Sequence, residues 1–119
     1  MVFTNNGVNV IRNWLAGSAA TAPTHIAYGS DGTAPSKGDT TLTTELTRAA
    51  FDSTTASADK EVKFEGVLGT LSQNGQTLRE CGLFNAGAGG TLFARNTFTD
   101  LAKTSSIELQ IFITVRVEN

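Results

Sequence analysis

From Ile107 to Val117 every odd-numbered residue is a branched aliphatic, and the even-numbered ones are polar except Phe112. That two-residue period marks a strand with one buried face. Residues 106–118 therefore read as one long final strand, which at ~3.3 Å per residue can cross a small domain. It is the candidate central strand. Its polar face carries Glu108, Gln110, Thr114, Arg116 and Glu118, which suits water or a polar interface, and Phe112 alone interrupts it.

At the other end, Val8, Ile11, Trp14 and Leu15 fall three and four apart behind Asn5 and Asn6, either of which can cap a helix, and Gly17 follows as a stop. The spacing predicts a short amphipathic helix over 6–16. Residues 24–29 alternate as a short strand, and residues 30–44 are rich in Gly, Pro, Asp and Thr, a long surface loop. Loops of that length are usually functional, or disordered until bound. Leu42, Glu45 and Leu46 are expected to form a brief helical turn at its far end, residues 48–52 a short strand, and residues 53–59 a polar turn.

Residues 60–71 carry Val62, Phe64, Val67, Leu68 and Leu71, whose parity changes between Phe64 and Val67, so a bulge is expected near Gly66. Asn74-Gly75 signals a turn. Residues 78–85 and 91–99 read as two more strands joined through Gly87, Gly89 and Gly90, with a turn over 100–105. The pattern gives a mainly β chain: an antiparallel β-sandwich of about six to eight strands with a short amino-terminal helix and a long Gly/Thr-rich loop, in one domain over 1–119.

Composition narrows the classes. Nine scattered basic residues and a net charge of −2 give no field for nucleic acid. One cysteine forms no disulfide within the chain. No signal peptide or membrane-length apolar run is evident, which points to a soluble chain made in the cytoplasm.

Candidate chemistry is sparse, and no catalytic, cofactor or metal site is assigned. His25, the only histidine, has no nucleophile motif around it, and Cys81 falls within a strand pattern as a small buried hydrophobe. Gly87, Gly89 and Gly90 are followed by a strand where a phosphate loop needs a helix, so they read as a hairpin turn. Asp31, Asp39 and Asp52 fit no calcium-loop spacing. Glu65 and Glu80 could be paired carboxylates of a glycosidase, although carboxylates facing solvent, or an arginine such as Arg79 or Arg95, account for them with less effort. Trp14 is either a core anchor or an exposed aromatic for a neighbouring subunit. Phe112 either meets another subunit or fills a second small core.

Arg79-Glu80-Cys81-Gly82-Leu83-Phe84-Asn85, followed by Gly89-Gly90-Thr91-Leu92-Phe93-Ala94-Arg95, resembles a hairpin of tail-fibre and tail-collar proteins of tailed bacteriophages. Upstream, Ile26-Ala27-Tyr28-Gly29, the Gly-Thr-Ala-Pro stretch at 32–35 and Asp39 through Leu46 resemble the segments that precede it there, in the same order. The resemblance implies a non-enzymatic virion component that forms a symmetric oligomer, often a trimer or ring, and contacts other virion proteins. The sequence stops directly after its last strand, which favours a collar, adaptor or decoration subunit over a receptor-binding fibre. Trp14, Phe112, Thr114 and Arg116 are the candidate contact residues. A capsid decoration, cementing or head-fibre protein, and a carbohydrate-binding module, stay open as alternatives.

Overall fold

The computed structural model describes all 119 residues. Along the chain lie β1 (Val2–Phe3), α1 (Asn5–Leu15), β2 (His25–Gly29), β3 (Glu45–Ala50), β4 (Ser53–Ala58), β5 (Glu61–Leu68), β6 (Thr77–Phe84), β7 (Leu92–Ala102) and β8 (Leu109–Arg116). Every strand pairing is antiparallel, and the strands form two sheets, ordered β1-β7-β6-β2-β3 and β4-β5-β8. The mainly β, sandwich-type architecture with one front helix is therefore the one expected. No helix is long and apolar enough to cross a membrane.

The core lies between the sheets. Ile26, Tyr28, Leu78, Cys81, Leu83 and Phe93 of the five-stranded sheet meet Phe64, Leu68 and Ile113 of the three-stranded one. The odd-numbered aliphatics of β8 are all on this side, with Leu109, Ile111 and Val115 packed against the same cluster. Fully burying such a side chain, as at Ile113, contributes about 1.5–3 kcal/mol and the three half-buried ones add less each, which together fixes the strand's facing.

Several local expectations are corrected. β8 is an edge strand, paired with β5 alone, and not the central one. Two-residue alternation reports one wet face, which an edge tolerates. The interior strands of the larger sheet are β7, β6 and β2, and of these β6 and β2 are buried on both faces over most of their length. No bulge interrupts β5, whose register with β8 runs unbroken from Glu61 to Leu68. Gly66 instead occupies an inward position, because a Cβ there would lie 2.7 Å from the Tyr28 hydroxyl and 2.9 Å from Ile26 Cδ1. The apparent parity switch is an inward residue without a side chain.

Residues 45 and 46 begin β3 and form no helical turn, while Leu42 is buried in the loop. Residues 53–58 are a strand, β4, and not a turn, since β5 supplies their ladder although every one of them is exposed. The helix cap is Thr4, whose hydroxyl accepts from Gly7 N at 3.0 Å and donates to Leu92 O. A buried threonine fixed to β7 defines the helix start more firmly than a solvated asparagine.

Candidate functional site

The loop at 30–44 lies against the outer face of the five-stranded sheet. Its Leu42 packs with Ala27, Phe84 and Leu92 in a second, smaller apolar cluster. Gly82 permits that approach, since a Cβ would come within 2.8 Å of both Leu42 Cδ2 and Leu92 Cδ1. The register shift in the β6–β7 pair between Leu78 and Glu80 leaves Glu80, Gly82 and Phe84 on this outer side, and a second, between Leu83 and Phe84, sets Leu92 beside Phe84 there.

Beneath the loop is a buried ion pair. Glu80 is fully buried, and Arg95, across the ladder on β7, is 1% exposed. Arg95 Nε donates to Glu80 Oε2 at 2.8 Å, and Nη2 lies 2.7 Å from the same oxygen, an ion contact without hydrogen-bond alignment. Arg95 Nη1 reaches up into the loop, to Thr33 O at 2.9 Å and Asp39 Oδ2 at 3.3 Å. Glu80 accepts from the loop's far end, Thr44 N at 2.8 Å and Thr43 N at 3.2 Å. One acidic and one basic side chain thus fasten both halves of the loop.

Further ties act in parallel. Arg79 donates to Ser30 O and to both carboxylate oxygens of Asp100, and Asn5 N donates to Lys37 O. Within the loop, Asp31 accepts from Thr33 N at 2.7 Å, and hydrogen bonding from Thr33, its side chain first and this amide second, lowers the Asp31 pKa. The loop is a fixed cover on the sheet.

The turn carrying Gly87, Gly89 and Gly90 closes the β6–β7 hairpin, as expected. Arg48 holds it by donating to Ala86 O and Gly89 O, with its guanidinium 3.6 Å above the Phe84 ring. The other chemically suggestive residues do not gather. Glu65 is on the outer face of the three-stranded sheet, bonded to Ser53 and Gln110, while Glu80 is on the opposite outer side of the sandwich. They cannot flank one glycosidic bond, which corrects the paired-carboxylate reading. Arg95 is the partner of Glu80, and Arg79 is not. Asp39 belongs to the Arg95 network, Asp31 caps its own turn, and Asp52 lies in the link between β3 and β4. His25 Nδ1 contacts Thr24 Oγ1 at 2.7 Å at the start of β2. Burial raises the pKa of Cys81 from 9.0 to about 11, keeping the thiol protonated.

The four candidate contact residues occupy two places. Trp14 stacks on Phe93, centroids 6.2 Å apart, and donates from its indole to Ala20 O at 2.8 Å. It anchors the helix and clips down the following connector, with 37% of its surface exposed beside an apolar cavity of about 300 Å³ that Ile11, Val62 and Val115 also line. Phe112, Thr114 and Arg116 share the outer face of β8. Phe112 is 50% exposed under the Lys63 ammonium at 5.2 Å, so it fills no second core. Arg116 pairs with Glu61 and Glu118.

The sequence offered Arg95 as a partner for Glu80, which the structure bears out, but not their joint hold on the loop. The available signal was an Arg and a Glu inside strands whose neighbours are apolar, since charges are rarely buried there unpaired. Compared with protein-family models, curated proteins and solved structures, the chain matches none.

Proposed function

We propose that the chain is a non-enzymatic structural component of a tailed-phage virion, a collar, adaptor or fibre-attachment subunit that assembles as a symmetric oligomer by surface complementarity. The observation that carries this reading is how the segments behind the resemblance interlock. The β6–β7 hairpin supplies Glu80 and Arg95, and these hold the loop at Thr33, Asp39, Thr43 and Thr44. Segments far apart in sequence form one continuous, rigid surface. Rigidity suits adhesion, because a surface already ordered loses little entropy when a partner settles on it. The polar groups of the hairpin and loop are engaged in holding that surface. β8 leaves an open sheet edge as a second surface for self-association.

Mass measurement in solution, alone and with the tail proteins of the same particle, tests the reading. A closed homo-oligomer that joins the tail assembly is expected. A chain that ignores every virion protein, or that turns over a glycan, overturns it.

A further inference from the structure

We infer that β8 pairs with β8 of a second copy of this chain, antiparallel about a two-fold axis at Phe112. The inference rests on the self-assembly proposed above and not on the virion assignment. β8 has β5 on one side and no strand on the other. Val117 N donates to Lys60 O just past the strand's end, so the odd-numbered residues turn their main-chain groups toward β5. Gln110, Phe112, Thr114 and Arg116 therefore present theirs to the open side. An eight-residue edge with no proline, no bulge against its neighbour, a half-exposed phenylalanine and a single charge, Arg116 at its end, carries few of the devices that keep sheet edges apart.

The strand is also complementary to itself in one of the registers this parity allows. With Phe112 opposite Phe112, Gln110 faces Thr114, and Glu108, immediately before the strand, faces Arg116, each pair occurring twice. On the inward side Leu109 meets Val115 and Ile111 meets Ile113. Sliding one copy by two residues in one direction sets Glu108 against Glu118, and in the other leaves Arg116 against Ser106. Opposite charges across a pair favour the first register and like charges disfavour the second.

A groove of about 400 Å³ runs beside the edge, lined by Phe98, Leu101, Leu109 and Ile111. It lies toward the outer part of β7, which β1 covers only at Ala94 and Arg95. The same two-fold brings two such grooves side by side, so half-buried apolar side chains meet their counterparts. The two three-stranded sheets become one six-stranded sheet, and the assembly contains an even number of chains.

Single-cysteine variants under mild oxidation test the pairing, because the native thiol, Cys81, is only 4% exposed. Directly opposed positions in a hydrogen-bonded pair have Cα atoms about 5.5 Å apart, within disulfide reach. Phe112→Cys should give a covalent dimer. Gln110→Cys and Thr114→Cys should each fail alone, their own copies being about 13 Å apart along the strand, yet cross-link to each other when mixed. In sedimentation, Glu108→Arg and Arg116→Glu should each raise the dimer dissociation constant about tenfold or more, and the double swap should bring it back to within about threefold.

An odd-numbered or monomeric chain at every concentration, or an oligomer that forms without these register-specific cross-links, overturns the inference. In the latter case self-assembly stands. A cross-linked dimer that binds no virion protein removes the virion reading and leaves the pairing intact.

Discussion

Replacing Arg95 with Met keeps the unbranched stem of the side chain and removes its charged head, leaving Glu80 fully buried with two amides as its remaining partners, Thr43 N and Thr44 N. Thr33 O and Asp39 lose their donor together. Removing one member of a buried pair costs about 3–5 kcal/mol. The two surviving amide bonds place this variant near the lower end, about 3 kcal/mol. For a chain of this size that lowers Tm by roughly 10–15 °C. Urea denaturation followed through the single Trp14, at fixed protein concentration so that association does not intrude, gives the value. The local consequence is separable: trypsin should cut after Lys37, in the loop, faster in the variant under native conditions. Glu80→Gln together with Arg95→Met should lose less than Arg95→Met alone, since no charge is then stranded. If Arg95→Met comes within about 1 kcal/mol of the native protein and Lys37 stays as resistant, the ion pair is not what holds the loop.

Tyr28→Phe removes a buried hydroxyl that has no partner, so stability should hold or rise by up to about 1 kcal/mol in the same urea titration. Gly66→Ala should cost about 1–3 kcal/mol through the clash with that hydroxyl and Ile26, and Tyr28→Phe should relieve part of the cost in the double variant. Because burial raises the Cys81 pKa from 9.0 to about 11, the unfolded thiol ionises first on going alkaline. Stability should therefore fall between pH 9 and 11, and less in Cys81→Ala, as read from Tm against pH. Phe112→Asp lies on an exposed face, so circular dichroism should show a folded chain with Tm within a few degrees of native, while light scattering shows loss of oligomer. A loss of folding would place Phe112 in a core.

How much of this was legible in the sequence depends on what each strand packs against. The odd-numbered aliphatics of β8 declared their inward face because one side is wet, and helix α1 declared itself through the spacing of Ile11 and Trp14, although Val8 and Leu15 of the same stripe are exposed and Gly7 and Val10 are what the sheet receives. β4 declared nothing, because residues 53–58 bury no side chain and take their conformation from the ladder with β5. β8's place at the edge was misjudged because length and alternation say which face is dry, not how many neighbours a strand has. Glu80 and Arg95 were visible as charges within strands, but only the register shift between Leu78 and Glu80 sets them outward beneath the loop, and such a shift leaves no mark in residue type.

That difference between the two outer faces bears on where partners can act. The five-stranded sheet has its outer face covered by its own loop, with Leu42 in an apolar cluster and Glu80, Arg95 and Asp39 joined. A partner arriving there meets loop backbone and side chains already bonded to one another. The three-stranded sheet keeps its outer face open, with Phe112, Thr114 and Arg116 on a strand whose edge has unused donors and acceptors. Main-chain groups at an edge gain full bonds only from another strand, whereas water satisfies them one at a time without fixing a register. In the assembly proposed above, the covered face supplies stiffness and the open edge supplies attachment. Loosening the first by Arg95→Met should leave edge pairing intact, and blocking the second by Phe112→Asp should leave the loop resistant to trypsin.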